Sequence, residues 1–271
     1  MESINKYTRL QIHQILWVMI LFMSNALYAQ TNSQPLGYEG TVGTAPVVME
    51  LSIDQNNIIK GRYFYRNYSS DIALDGKRLA NGDIQLGENQ SDDDHANVDM
   101  ALHPVQQGWQ GEWVGGLDPK KIEIQLTPIT TDPKPIYQLA STTTPYDQIR
   151  LSGLSLQKRE LTQFGQYSLQ WWIEPLSKIK FFQIDSGYPA DTLVRINTAL
   201  TTRQWQEVNR YFECQLGGAR SSGAEYDQTV TPRLINDNVL SASVNTSYYC
   251  GGAHPEVSEN PINLDINTGK V

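Results

Sequence analysis

Between Tyr38 and Leu126 the chain alternates apolar and polar residues with a period of two. Val47, Met49, Leu51 and Ile53 alternate with Val48, Glu50, Ser52 and Asp54. Ile59, Tyr63 and Tyr65 share one face, opposite Lys60, Arg62 and Arg66; Ile72/Leu74, Ile84/Leu86, Val98/Met100/Leu102 and Ile122/Ile124/Leu126 continue the series. This is the period of half-buried strands. Turn-forming residues separate the runs: Asn56-Asn57, Ser69-Ser70, Asn81-Gly82, the acidic run at 92–94, Gly108, and Gly115-Gly116 with Asp118-Pro119. About eight short antiparallel strands over 36–127 are predicted, one face buried and one wet. Closure removes exposed edges, so a curled sheet or an up-and-down barrel is the expected result. Trp109, Gly111 and Trp113 fall on one face; they fill the core or make a stacking wall for a ligand inside the barrel.

Pro128, Pro133, Pro135 and Pro145, with Thr130-Thr131 and the Ser141–Thr144 run between them, interrupt the pattern. A Pro/Thr-rich linker is therefore placed at 128–145, with a second domain at 146–271. Ile149/Leu151 and Leu154/Leu156 read as strand, as does Tyr167–Glu174, with Leu169, Trp171 and Ile173 on one face and Ser168, Gln170 and Trp172 on the other. Ile179–Ile184 is a further short strand. From Asp191 to Leu216 the spacing changes to three and four, through Leu193, Ile196, Leu200, Val208, Tyr211 and Phe212, which predicts an amphipathic helix. Pro189 precedes it, Asp191 can cap it and Gly217-Gly218 can end it. Strands are expected at Glu225–Leu234, Val239–Tyr249 and Ile262–Ile266. The predicted fold class is α+β: an antiparallel meander, then one main helix on an antiparallel sheet.

Composition adds a location. The apolar run Ile15–Met23 follows Lys6 and Arg9 and precedes Ser24, Ala26 and Ala29. Nine apolar residues fall short of the roughly 20 that span a membrane but suit the core of a secretory leader. Residues 1–29 therefore read as a signal peptide cleaved near Ala29, leaving a periplasmic or secreted protein without an integral span. The whole chain carries −8; losing one acid and two bases with the leader makes it −9. An acidic chain without a basic run lacks the electrostatic footprint of a nucleic-acid binder. Cys214 and Cys250 are the two cysteines; in an exported protein they most simply form a disulfide. A two-ligand metal site is the alternative, though no Cys-x-x-Cys or closely spaced histidines support it. Closing that interval contributes about 3–4 kcal/mol in the loop-entropy model.

Candidate chemistry concentrates in Tyr248-Tyr249-Cys250-Gly251-Gly252-Ala253-His254-Pro255. Two glycines permit positive φ, and proline pushes His254 toward extended backbone, so the stretch reads as a shaped loop. His254 beside Gly251 and Gly252 can meet a ligand carboxylate or carbonyl, or simply form the turn. Trp172 can stack on a sugar ring or anchor a partner, or be covered by a second layer. Asp92-Asp93-Asp94-His95, and Asp265 with Asn267 and Gly269, lack the spacing of a complete calcium loop and read as hairpin turns. Neither a metal nor a cofactor is expected.

The run Ser247–Pro255, with Asn263-Leu264-Asp265 and Thr268-Gly269-Lys270, resembles the extracytoplasmic domain of RsiV-type anti-sigma factors, and the similar domain accompanying the deacetylase in PdaC-type peptidoglycan deacetylases. The resemblance covers about residues 146–271. It implies an envelope-facing α+β domain, with a lysozyme-like protein as a partner, and carries over no catalytic residue. In that family further helix and strand follow the Thr-Gly-Lys hairpin, so the second domain is expected to be incomplete. Three functions follow: a binding module using the loop at 250–256, Tyr248, Tyr249 and Trp172 to recognise a lysozyme-like protein or peptidoglycan; an enzyme on cell-wall glycan with His254 and Asp265 or Glu256; or a carrier holding a lipid or small apolar ligand in the β domain.

Overall fold

The period-two stretch closes on itself. In the computed structural model, which describes residues 35–88, 99–114, 121–130, 144–219 and 223–271, eight strands run in chain order: β1 (Leu36–Val42), β2 (Ala45–Ile53), β3 (Ile58–Tyr65), β4 (Ile72–Arg78), β5 (Ile84–Glu88), β6 (Met100–Val105), β7 (Gly108–Trp113) and β8 (Ile122–Pro128). Each pairs antiparallel with the next, and β1 pairs with β8 to make a closed barrel. The leader, the acidic run with His95 and most of the proline-rich break lie outside the described residues. At the closing seam Gly40 stands opposite Leu126. A Cβ there would come 1.8 Å from the Gln125 carbonyl oxygen, so glycine is what lets the strands meet. An eight-stranded barrel has room inside for side chains; here Met49, Tyr63, Leu74, Leu86, Met100 and Leu126 are among those filling it, each at most 1% exposed. Trp109 joins that core at 7% exposed.

The outer face is not wet throughout. Ile149 and Leu151, expected in a strand, belong instead to a helix, α1 (Pro145–Ser152). Thr144 caps it, its Oγ1 accepting from the Asp147 N–H at 3.3 Å, and Pro145 sits in the first turn where no N–H is needed. These terminal signals outweigh the short apolar alternation. Tyr146 of α1 packs on Val48 and Phe64 of the barrel exterior, its ring edge-on to Phe64 at 5.0 Å.

Beside that contact lies a buried ionic network. Arg150, wholly buried, pairs with Asp71 through Nη1 and with Asp147 at 2.5 Å through Nη2, which also donates to Asn209 Oδ1 at 3.2 Å. Its guanidinium carbon lies 4.6 Å from the centre of the Phe212 ring. Arg62 on β3 bonds Glu50 at 2.9 Å and Asp147 at 3.1 Å, over the face of Tyr146. The Tyr146 hydroxyl donates to Asp71 at 2.5 Å. Burial alone would lower the Arg62 pKa, but the carboxylates of Asp147, Glu50 and Asp71 overcome it and raise it. Glu50 and Arg62 thus occupy outward positions that are covered.

The rest is α+β. Strands β9 (Gln157–Phe164), β10 (Tyr167–Ile173) and β11 (Lys180–Ser186) form one antiparallel sheet with β10 in the centre. The long helix α2 (Ala190–Ala219) follows, then β12 (Glu225–Ile235), β13 (Val239–Tyr249), β14 (Glu256–Glu259) and β15 (Ile262–Asp265). Within this second sheet β13 pairs β12 along one edge and β14 and β15 in succession along the other. The apolar face of α2, with Ile196, Leu200, Val208 and Phe212, joins a core that contains Leu169, Phe182, Leu240 and Leu264. Asp191 lies in the first turn rather than capping it, and the helix runs through Gly217-Gly218. Gly217 is there for proximity: its Cβ would come 2.5 Å from the Cys250 carbonyl oxygen. The barrel and the α+β half keep separate cores, yet residues 35–271 form one compact unit.

Candidate functional site

Helix α2 and the second sheet are tied where their ends converge. Cys214, in the last turns of α2, is disulfide-bonded to Cys250, just past β13, with Cα atoms 4.5 Å apart. Above this cross-link opens a cleft of about 410 Å³. Helical spacing puts Glu207, Arg210 and Cys214 on one wall, at i, i+3 and i+7, with Glu213 beside them. Strand spacing supplies the other wall, because Thr246 and Tyr248 alternate along β13 and Cys250 follows them just past its end. Tyr226 on β12 stands opposite Tyr248 and Ser258 on β14 opposite Thr246, while Asn260 follows β14.

The floor is a saturated carboxylate. Glu207, its side chain 2% exposed, meets Arg203 Nε at 2.7 Å and Arg210 Nη1 at 2.6 Å, and accepts from Gln228 Nε2 at 2.9 Å. Gln228 also donates to the Thr246 hydroxyl at 3.1 Å. Burial, with Glu207 nearby, pushes the Tyr226 hydroxyl up to about 12, so it stays a neutral donor. The Tyr226 and Tyr248 rings lie 6.2 Å apart and tilted by 33°. Tyr248 donates to Glu256 at 2.8 Å, a bond that raises its own pKa. Glu213 is raised by burial and by Asp147, against Arg62, Arg150 and Arg210, and accepts from Asn209 at 2.9 Å. Guanidinium, hydroxyls, amides and two phenol rings in one concavity suit a polar ligand with some ring or aliphatic surface.

The residues expected to form a site separate into three places. Tyr248, Cys214 and Cys250 line the cleft. Tyr249, Gly251, Gly252 and His254 form the adjoining loop: Gly251 and Gly252 take φ of 89° and 107°, and the Tyr249 hydroxyl donates to the Gly252 carbonyl at 3.0 Å. His254 is exposed, its Nδ1 3.1 Å from the Pro255 carbonyl oxygen. Trp172 stands apart on β10, half-buried, its carbonyl held by Gln204 of α2 at 3.0 Å. Neither acidic partner considered for His254 is turned to it. Glu256 takes the Tyr248 hydroxyl, and Asp265 Oδ1 accepts the Asn267 and Thr268 N–H groups that close the last hairpin.

Glu207, Arg210, Glu213, Tyr226, Thr246, Ser258 and Asn260 were not singled out from sequence. The helical interval from Glu207 to Cys214 was their available signal, visible once Cys214 marks the face. Among the described residues no helix is long and apolar enough to cross a membrane, and no group of three or more His, Cys, Asp or Glu is placed to hold a metal.

The cross-link holds both walls, which gives an expectation. Replacing Cys214 and Cys250 together by serine should cost about 2–4 kcal/mol of stability, read as a lower urea midpoint with thiol reagents absent. An unchanged midpoint would show that the helix end is held by packing alone. Comparison with protein-family models, curated proteins and solved structures found no match to this chain.

Proposed function

We propose that the chain is an exported, non-enzymatic recognition module of the bacterial envelope that binds a fragment of the cell wall in the cleft beside Cys214–Cys250. One observation carries this reading: a concave, mixed polar and aromatic site framed by a disulfide, in which the acidic groups are committed to structural partners. Its volume of about 410 Å³ falls within the range of roughly 300–1,000 Å³ typical of pockets for compact ligands. A disulfide agrees with an oxidising compartment, and the leader-like run at 15–23 agrees with export. The sequence resemblance points to the envelope independently of the cleft.

A lysozyme-like protein is the second reading. It is favoured by the neighbouring surface, where His254 and Glu256 are exposed and Val257 is 80% exposed. Calorimetric titration of the protein lacking residues 1–29 with soluble uncross-linked muropeptides, and separately with lysozyme, tests both. The first reading expects muropeptide binding that weakens about tenfold or more in Tyr248→Ala, in keeping with the loss of an aromatic contact. Binding of lysozyme alone, weakened by Val257→Asp and untouched by Tyr248→Ala, would replace it with the second. Binding of neither would sink both.

A further inference from the structure

The floor of the cleft carries a guanidinium that is only partly engaged. Arg203 and Arg210 both pair with the one carboxylate of Glu207, which takes a third contact from the neutral Gln228 amide. With Glu213, the other acid of the lining, two carboxylates balance the two guanidiniums, so what the floor offers is unused donors rather than net charge. Arg203 is held low in the site, its side chain 17% exposed and its Nη2 donating to the Asn260 carbonyl at 3.2 Å. Arg210 is different. Its side chain is 48% exposed, it lines the cleft, and among the described residues only its Nη1 is engaged, by Glu207. On a chain of formal charge −8, the cleft therefore presents a guanidinium edge with unused N–H donors.

We propose that Arg210 is the carboxylate-binding group of this cleft, and that its ligand is a short peptide or peptide-bearing saccharide with a free carboxylate; this rests on the cell-wall reading above. The planar donor fork of arginine matches a carboxylate in two parallel hydrogen bonds. Glu207 pre-orients it: with Nη1 held at 2.6 Å, the remaining edge is fixed, so little rotamer freedom is lost on binding. Hydroxyls of Thr246, Tyr226 and Ser258 on the facing strands provide neutral donors and acceptors for the rest of the ligand. Glu213, the second acid on the same wall, accepts from the Asn209 amide, which fixes its position without removing its charge.

The test is a cycle by calorimetry on the protein lacking residues 1–29. The probes are an uncross-linked muropeptide with its stem carboxylates free and the same compound with those carboxylates amidated. Amidation should weaken wild-type binding about tenfold or more, the scale of a charged hydrogen bond. Arg210→Gln should weaken the free acid by a similar factor and leave the amide unchanged. Equal affinity of acid and amide for wild type, or equal loss of both in Arg210→Gln, overturns the carboxylate assignment while the cleft reading stands. Failure of wild type to bind either compound overturns the cell-wall reading, and this assignment with it. If Arg210→Gln does not fold, the acid-to-amide comparison on wild type decides alone.

Discussion

Arg150→Ala is expected to destabilise the protein by about 3–5 kcal/mol, the cost of removing one partner from a buried ion pair. The guanidinium of Arg150 is wholly enclosed and touches Asp71, Asp147, Asn209 and the Phe212 ring. Without it Asp71, whose side chain is also 0% exposed, keeps the Tyr146 hydroxyl and, at 3.8 Å, Arg62 Nη1. Asp147 keeps Arg62 at 3.1 Å. Three carboxylates would then share one buried guanidinium. Because Arg150 sits on α1, Asp71 just ahead of β4 and Asn209 on α2, the loss falls on the contact between barrel and α+β half. A domain of ordinary stability holds about 5–15 kcal/mol, so the variant should unfold at a far lower urea concentration. Lys121→Ala is the control: its bond to Glu112 joins side chains that are 66% and 47% exposed, and such surface pairs contribute about 0–1 kcal/mol. A shift for Arg150→Ala no larger than for Lys121→Ala would show that the network is spectator to folding.

The same residues show where sequence reasoning stops. Alternation predicted eight barrel strands because one face of each meets a single interior, and period two needs no knowledge of partners. It also assigned Glu50 and Arg62 to water. That error is physical: they alternate as surface residues do, and only a long-range neighbour, α1, covers them. The helix itself was announced by Thr144, Pro145 and Asp147, but the apolar spacing of Ile149 and Leu151 read as strand over so short a window. Strand β9 was not signalled because seven of its eight residues are exposed, leaving no buried face to impose a period. The disulfide was legible from two cysteines in a chain whose apolar run at 15–23 reads as a secretory leader. The cleft was legible only in part: Tyr248 and the cysteines lie in one unusual stretch, whereas Glu207, Arg210 and Tyr226 look like ordinary surface residues until α2 is laid against β13.

Alkaline solution should unfold the protein steeply, and two fully buried phenols are the main contributors. Tyr63 is 1% and Tyr146 0% exposed. Burial raises the Tyr63 pKa, and Glu88, which accepts its hydroxyl at 2.5 Å, raises it further. Burial likewise raises Tyr146 well above its ordinary value; Asp71 adds to this, and Arg150 and Arg62 oppose it. An acid whose folded pKa is raised keeps its proton in the native state after the unfolded chain has lost it. Unfolded tyrosine titrates near pH 10 (about 10 in model peptides). Above that the unfolded chain has lost the protons that Tyr63 and Tyr146 keep, so these two rings lower stability with rising pH by about 1.4 kcal/mol per unit each, or about 2.7 kcal/mol together, and Tyr226, also raised, adds to the fall. By about pH 11.5 the accumulated loss from these two rings is about 4 kcal/mol. Urea midpoints taken at intervals from about pH 8 to 11.5 should stay level to near pH 9.5 and then drop. The slope should become shallower by about 1.4 kcal/mol per pH unit in Tyr63→Phe, which removes the ionisable hydroxyl and leaves Glu88 to keep the Trp113 indole N–H at 2.8 Å. Loss of the Tyr63 and Tyr146 protons while the protein remains folded, read as tyrosinate absorbance absent from the Tyr63→Phe and Tyr146→Phe variants, would mean that water reaches these hydroxyls and that neither the barrel interior nor the α1 junction encloses them.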